Sequence, residues 1–196
     1  MEPQIAEKSV SEEELKHLYK TYTDASANLL AAIRSQPRQE VKDYELTNTD
    51  GSKVRLSELF GDKDELMVVH NMGKGCVYCT LWADGFNGVH QHLSDRAAFV
   101  LSSPDDHETQ RAFAESRGWK FRTVSIKDTT FAKDLGFEPK PKSYQPGFST
   151  FIKDADGKMY RTAKDMFGPG DHYCATWHLL DLLPNGQNGW EPKYKY

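Results

Sequence analysis

The chain alternates between strand-like and helix-like segments from residue 44 to residue 183, and this alternation limits the folds that it can adopt. Short runs rich in β-branched and aromatic residues predict strands, whereas longer segments with apolar residues every three or four positions predict helices. The predicted elements follow the order β-β-β-α-β-α-β-α-β-β-α. This order predicts an α/β fold, with a central mixed β-sheet flanked by helices on both faces.

The bounds of these elements follow from the apolar runs and from the glycine, proline and asparagine residues that separate them. The predicted strands cover residues 44–48, 53–56, 65–70, 97–102, 121–125, 148–153 and 158–162. The predicted helices cover residues 77–93, 107–117, 129–135 and 171–183, and a short helical turn covers 57–61. The dipeptides Asp50-Gly51 and Asp156-Gly157 mark the turns of two hairpins.

A long helix is predicted before the sheet. Ser11 and Glu14 form a capping box, in which the Ser11 hydroxyl caps the first amides and Glu14 reaches back. Apolar residues recur at helical spacing as far as Ile33, and the helix should end near Ser35, before Pro37. The predicted division is an N-terminal helical extension at 1–40, a main domain at 41–184 and a polar C-terminal tail at 185–196. The long helix is compatible with a homodimer.

The composition excludes several classes of function. The 196 residues suffice for one domain with an extension, 28% of them are charged, and the mean hydropathy is -0.71. The longest apolar run, residues 66–69, is far shorter than the roughly 20 residues that a membrane-spanning helix needs. A net charge of -4 argues against nucleic-acid or acidic-membrane partners, which attract clustered Lys and Arg. Residues 1–10 lack the apolar centre of a secretory signal, so we expect a cytoplasmic protein.

Cys76 and Cys79 follow the predicted strand 65–70 through a short loop and open the helix at 77–93. The first amides of a helix have no internal partners and the helix dipole adds partial positive charge, so a thiolate is stabilised there. Its pKa should fall from about 8.5, with the positive charge of Lys74 adding to the effect. Because residues i and i+3 share a helix face, the spacing predicts Cys76 as the exposed nucleophile and Cys79 as the thiol that resolves the mixed disulfide.

Two other roles for this cysteine pair stay open on the residues alone. Both cysteines could be small core residues, although the start of a helix is an unusual place for that. Both could also join His172, Cys174 and His178 in a zinc site, since zinc takes such ligands. The spacing puts Cys174 and His178 on one helix face but leaves His172 off it, so no metal site and no cofactor are predicted. Cys174 is instead expected to be a buried helix residue.

Four segments of the chain carry a resemblance to a known family. The segment GCVYCTLWADGFNG at 75–88 carries most of it, and the part from 82 to 88 is the most specific. The segments RGW at 117–119, PGFSTF at 146–151 and LDLLP at 180–184 add to it. On these residues, the region 44–190 resembles the thioredoxin-like family called domain of unknown function 899, usually described as predicted dithiol–disulfide oxidoreductases.

The resemblance implies a thioredoxin-like fold related to the peroxiredoxin branch, with Cys76 and Cys79 as the redox pair. The chain departs from two patterns of that fold. The cis-proline that thioredoxin-like proteins place directly before a strand is not expected, because Pro146 is offset from the predicted strand start and Ser149 falls at the expected position. The peroxiredoxin pattern Pro-x-x-x-Thr-x-x-Cys is also not met, since counting back from Cys79 gives Cys76 and Met72.

The predicted function is dithiol–disulfide exchange, with a disulfide-bearing protein or small molecule as substrate and a thiol reductant as partner. Tyr78, Trp82, Ser149 and Lys74 are predicted to contact substrate, although Trp82 fits the core equally well. One alternative is a thiol peroxidase of the peroxiredoxin-like type, whose thiolate is oxidised to a sulfenic acid and resolved by its neighbour. Another alternative is a non-catalytic metal-binding or interaction module on the same fold.

Three further residue types invite an interpretation. Gly85 and Gly88 fall inside a predicted helix, where each costs about 1 kcal/mol relative to alanine, and this suggests close approach by another backbone or a local kink. Asp84 is predicted to be an exposed helix carboxylate. His70 ends a buried strand next to the cysteine loop, and a structural role is favoured over that of a general base.

Overall fold

The computed structural model describes residues 10–196. Residues 1–9 lie outside the described residues. The expectation of a missing secretory signal rests on this segment, and the predicted N-terminal extension begins in it. The strands are β1 (Gln39–Val41), β2 (Glu45–Asn48), β3 (Lys53–Arg55), β4 (Glu65–His70), β5 (Ala98–Ser103), β6 (Arg122–Ser125), β7 (Gly147–Lys153) and β8 (Met159–Met166). The helices are α1 (Glu12–Arg34), α2 (Val77–Arg96), α3 (His107–Arg117), α4 (Phe131–Asp134) and α5 (Ala175–Asp181), and a short 3-10 helix covers Leu56–Phe60.

Within residues 10–196, the strands form one eight-stranded sheet in the order β1-β8-β7-β4-β5-β6-β2-β3. Strands β4, β5 and β6 run parallel and are connected by α2 and α3, whereas the other neighbouring strands are antiparallel. Strand β4 is therefore an inner strand, with β5 on one side and β7 on the other. The predicted mixed sheet is confirmed, and one of its inner strands leads directly to the loop before Cys76.

Apolar side chains cover both faces of the sheet. Leu66 and Val68 of β4 pack in one core with residues of the 3-10 helix and of α4. The next residue along the strand, Val69, points to the opposite face and packs in a second core with Trp82 of α2 and Trp177 of α5. The predicted placement of helices on both faces is therefore confirmed.

Helix α1 begins and ends as predicted. The Ser11 hydroxyl accepts the N–H of Glu14 at 3.1 Å, and the helix ends at Arg34 with Ser35 as its C-cap. No residue of α1 is buried, so the helix lies on the outside of the domain. Its large exposed apolar side chains are Leu15, Leu18, Tyr19, Tyr22, Leu29 and Leu30. In the described part of the chain, every helix is too short or too polar to cross a bilayer.

Strand β1 and helix α5 differ most from the sequence-based prediction, and β8 runs to Met166, four residues beyond its predicted end at 162. Strand β1 was not predicted, because its three residues carry no apolar pattern of their own, and it forms at the edge of the sheet by pairing with β8. Helix α5 begins at Ala175, later than the predicted residue 171. The carboxylate of Asp171 accepts the N–H groups of Gly168 at 3.0 Å and Tyr173 at 2.8 Å, and these local hydrogen bonds compete with helix formation.

The glycines inside α2 do not mark a close contact. A Cβ atom built on Gly85 or Gly88 would meet no atom of the described residues within 4 Å. Neither glycine has a positive φ, so neither position requires glycine for its backbone conformation. The predicted close approach by another backbone is therefore wrong.

Gly85→Ala is expected to raise the free energy of unfolding by about 1 kcal/mol, because alanine lowers the entropy cost of the helix without meeting a neighbour. Urea unfolding of both proteins measures the difference. Gly73→Ala is the matched control and should lose stability, since Gly73 has a φ of 99° and an added Cβ would lie 3.0 Å from Asp105 Oδ1. A loss of stability in Gly85→Ala would contradict the open surface at this face of α2.

Candidate active site

Cys76 is the N-cap residue of α2, directly after the loop that follows β4. Its Sγ accepts the backbone N–H of Cys79 at 3.0 Å. Cys76 is half-buried and Cys79 is buried, and both thiols are free. The more exposed sulfur of the pair therefore lies at the start of the helix, where β4 and its loop lead into α2.

The two thiols differ strongly in acidity. The Cys79 S–H donates to the Cys76 sulfur, and the backbone N–H groups of Cys79 and Tyr78 donate to it as well. Together these donors lower the pKa of Cys76 from its ordinary value to about 7, although burial acts in the opposite direction. Donation to Cys76, burial and the charge of that thiolate raise the pKa of Cys79 well above its ordinary value. The predicted contribution of Lys74 is not found, because hydrogen bonds rather than its ammonium group lower the pKa of Cys76.

The loop before Cys76 is held by hydrogen bonds that its backbone N–H groups donate. The side-chain oxygen of Asn71 accepts the N–H of Gly73 at 2.7 Å, and Asp105 Oδ2 accepts the N–H of Lys74 at 2.6 Å. The N–H of Cys76 donates to the carbonyl of Gly73 at 3.1 Å. These contacts fix the sulfur of Cys76 relative to the first turn of α2.

A groove of about 480 Å³ opens beside the Cys76 sulfur. The ring of Tyr78 lies at this groove and stacks on Trp177 with ring centroids 6.1 Å apart, so the protein itself holds the ring in place. The side chain of Lys74 is exposed near the same opening. The groove is lined by Met72, Gly75, Cys76, Val77, Tyr78, Lys142, Ser143 and Tyr144.

Two of the predicted contact residues lie in the interior. Trp82 is 2% exposed, and its indole N–H donates to Asp171 Oδ1 at 3.3 Å. Ser149 is fully buried in β7, with its hydroxyl 3.0 Å from Nε2 of His70. Of the two readings that the sequence allowed for Trp82, the structure favours the core, and neither residue lines the groove beside Cys76.

His70 lies directly behind the cysteine pair. Its ring stacks on Phe137 with centroids 3.6 Å apart, and burial holds its pKa well below the ordinary value, so the ring is neutral. It lines a small cavity together with Cys79 and Pro146, and within the described residues its Nδ1 has no hydrogen-bond partner. Strand β7 begins at Gly147, so Pro146 directly precedes the strand, and the predicted offset was wrong by one residue.

Asp84 is not the exposed carboxylate that was predicted. Both of its carboxylate oxygens accept from the guanidinium of Arg117, and Trp119 Nε1 donates to Oδ1 at 2.8 Å. The side chain of Asn87 donates to the carbonyl of Gly118 at 3.1 Å and so bridges the same two segments. Two of the segments that carry the family resemblance are therefore in contact, a pairing that local sequence patterns could not indicate.

The histidines near α5 do not form a metal centre. The rings of His172 and His178 stack with centroids 6.0 Å apart, and Cys174 is buried at the N-cap of the helix. Within residues 10–196, no group of three His, Cys, Asp or Glu side chains is arranged to hold a metal ion.

The acidity of Cys76 gives a direct test of this geometry. Alkylation of Cys76 in wild type should rise with pH around a midpoint near 7, because only the thiolate reacts. Cys79→Ala removes the S–H donor and should move the midpoint to higher pH, whereas Cys79→Ser keeps an O–H donor and should move it less. Equal midpoints in all three proteins would show that Cys79 does not donate to the Cys76 sulfur.

Residues 4–196 match the family described as "Bacterial protein of unknown function (DUF899)". The chain belongs to the DUF899 family. The resemblance found in the sequence is thereby confirmed over nearly the whole chain. A search of proteins with curated functions finds no match.

Solved structures with the same fold have low sequence identity to this DUF899 chain. A reduced Prx3 from Vibrio vulnificus in complex with H2O2 has a TM-score of 0.53 and 16% identity, covering 68% of this chain and 88% of its own. A putative thiol-disulfide oxidoreductase from Bacteroides vulgatus has a TM-score of 0.53 and 15% identity, covering 72% and 93%. A hypothetical protein from Sinorhizobium meliloti 1021 has a TM-score of 0.50 and 14% identity, covering 82% and 88%. These likenesses confirm the predicted thioredoxin-like fold.

Proposed function

We propose that this chain is a thiol–disulfide oxidoreductase in which Cys76 is the nucleophile and Cys79 the resolving thiol. The observation that carries the proposal is the hydrogen bonding at the Cys76 sulfur, which accepts from the thiol and the backbone N–H of Cys79 at the start of α2. These donors lower the pKa of Cys76 to about 7, so a large fraction is thiolate at neutral pH. We assign the activity to the domain at 41–184, acting in the cytoplasm.

The reaction proceeds in two exchange steps. The Cys76 thiolate attacks one sulfur of a substrate disulfide, forms a mixed disulfide and releases the other sulfur as a thiolate. Cys79 then attacks the Cys76 sulfur, and the second substrate sulfur leaves. The proton of Cys79 ends on a leaving thiolate, two electrons pass to the substrate, and the chain keeps a Cys76–Cys79 disulfide. A thiol reductant restores the dithiol by the reverse steps.

The contact between the two sulfurs explains why Cys79 stays protonated until the mixed disulfide on Cys76 has formed. In the dithiol, donation to Cys76 and the negative charge of its thiolate raise the pKa of Cys79. Once Cys76 has joined a mixed disulfide, its sulfur carries no charge, and both of these causes disappear. Cys79 then loses its proton more readily, at the moment when its attack is productive.

The groove beside Cys76 supports a disulfide substrate. It is open to solvent at the more exposed sulfur, and Tyr78 offers an apolar ring that α5 holds rigid. The side chain of Lys142 at its edge supplies a polar contact. The fold neighbour from Bacteroides vulgatus is titled a putative thiol-disulfide oxidoreductase, and its likeness supports the proposal at the level of the fold.

A redox titration tests the proposal. Wild type is equilibrated in buffers of graded thiol and disulfide content, and free thiols and metal content are measured on the same sample. We expect one reversible two-electron couple with the loss of two thiols per chain, which Cys174→Ser retains and Cys76→Ser loses. Rapid consumption of peroxide with accumulation of a sulfenic acid would instead establish the thiol peroxidase. Bound zinc that protects the thiols would establish the metal-binding module.

A further inference from the structure

The last seven residues of the chain, 190–196, pack against the active-site side of the domain, and we refer to them as the C-terminal strap. Trp190 packs edge-to-face on Trp177 with ring centroids 5.7 Å apart, and Pro192 is buried. The ring of Tyr194 packs edge-to-face on Phe113 of α3, with centroids 6.4 Å apart. The strap therefore spans from α5 to α3, whereas the sequence pattern predicted only a polar tail there.

One arginine ties the strap to the family segment of α2. Arg117 Nη1 donates to the backbone carbonyl of Tyr194 at 2.7 Å. The same guanidinium is held by the carboxylate of Asp84 on α2, and this ion pair is only partly exposed. Asp84 and Arg117 thus hold the backbone of Tyr194 in place, although Arg117 and Tyr194 are 77 positions apart in the sequence.

The hydroxyl of Tyr194 reaches the loop before the nucleophile. It donates to the backbone carbonyl of Lys74 at 3.0 Å. The N–H of the same residue donates to Asp105 Oδ2 at 2.6 Å, so Lys74 is held at both of its backbone polar groups. Lys74 is two residues before Cys76 in the chain, so its position affects where the loop delivers the sulfur.

The hydroxyl of Tyr194 keeps its proton at neutral pH. Burial raises the pKa of Tyr194, and the negative charges of Cys76 and Cys79 raise it further. Tyr194 therefore stays protonated when Cys76 is a thiolate, and its O–H remains available as a donor to the carbonyl of Lys74.

We propose that Tyr194 is a positioning residue for Cys76, acting through its hydrogen bond to the backbone carbonyl of Lys74. This inference rests on the proposed function. Holding the carbonyl of Lys74 fixes the loop, and the fixed loop keeps the Cys76 sulfur within reach of the N–H of Cys79. Without this hold, the sulfur spends less time against its donors, and the thiolate is less favoured.

Tyr194→Phe tests the hydroxyl alone, because phenylalanine keeps the ring that packs on Phe113. Tyr196→Phe is the matched control, since Tyr196 is 83% exposed and its hydroxyl accepts the N–H of Lys193 within the strap at 3.1 Å instead of contacting the loop. The pH profile of Cys76 alkylation is measured for wild type and both variants, together with thermal unfolding to confirm that all three are folded. We expect the midpoint for Tyr194→Phe to move to higher pH, corresponding to about threefold less thiolate at pH 6, and no change for Tyr196→Phe.

The outcomes separate this inference from the proposed function. If wild type has a midpoint near 7 and forms the Cys76–Cys79 disulfide, but Tyr194→Phe has the same profile, Tyr194 does not position the nucleophile and only this inference fails. If wild-type Cys76 titrates as an ordinary thiol and forms no disulfide, the proposed function itself fails. A loss of folding in Tyr194→Phe would also overturn the inference, because the hydroxyl would then support the whole domain rather than the loop.

Discussion

Cys76→Ser is expected to slow disulfide exchange by about a thousandfold or more, because a serine hydroxyl is not ionised at neutral pH and cannot replace a thiolate nucleophile. The effect should be large since Cys79 is buried, and burial both raises its pKa and keeps its sulfur from a substrate, so it cannot take over the attack. The rate of reduction of a small disulfide in single-turnover conditions measures the loss. Cys174→Ser is the control and should react at the wild-type rate, because Cys174 is free and buried at the start of α5.

Cys79→Ser should give a different result from Cys76→Ser. The nucleophile is still present, so the first exchange takes place, but no thiol is available to release the second substrate sulfur. The variant should therefore accumulate a mixed disulfide on Cys76 that mass spectrometry detects as an adduct. Reduction of substrate by Cys76→Ser at the rate of wild type, or an adduct on any other cysteine of Cys79→Ser, would contradict the assigned roles.

Trp177→Ala is expected to lower the free energy of unfolding by about 3–5 kcal/mol, because it removes a large buried ring and leaves a cavity. Trp177 is 1% exposed and lies between Tyr78 at the groove and Trp190 in the C-terminal strap. Removing it takes the support from both rings at once. Urea unfolding of the reduced proteins measures the change.

Trp177→Phe is the matched variant for this position. Phenylalanine keeps an aromatic ring and removes the indole N–H, which is buried without a hydrogen-bond partner in the described part of the chain. The gain from removing that unpartnered donor offsets part of the lost packing, so this variant should lose much less stability than Trp177→Ala. If both variants lost the same amount, the stability at this position would depend on the whole indole rather than on filling the space between the two neighbouring rings.

The elements with strong local signals were predicted accurately from the sequence. The bounds of β4 and α3 are as predicted, because each is marked by residues next to it in the chain. Asp106 Oδ1 caps α3 by accepting the N–H of Thr109 at 2.8 Å, and Gly118 ends the helix with a φ of 69°. The placement of Cys76 and Cys79 was predictable for the same reason, since a strand and a helix start flank the motif.

The contacts that complete the candidate site join residues that are far apart in the sequence. Asp84 meets Arg117 across 33 positions, and Tyr194 meets Lys74 across 120. No period or cap signals such pairs, so the sequence indicated an exposed carboxylate and a featureless tail. The interior position of Ser149 was missed for a related reason, because which strand partners cover a side chain depends on the order of the whole sheet.

The outer position of α1 has a thermodynamic consequence. Its 23 residues make their own backbone hydrogen bonds but bury no side chain. Isolated helices shorter than roughly 12–15 residues are only marginally stable in water, and α1 is longer than that. The helix meets the domain at β8 and, through Tyr22, at His172, so its fraying is only weakly coupled to melting of the sheet, and the main cooperative unit of unfolding begins near β1. The heat absorbed at the main calorimetric transition then belongs to the residues that follow the helix.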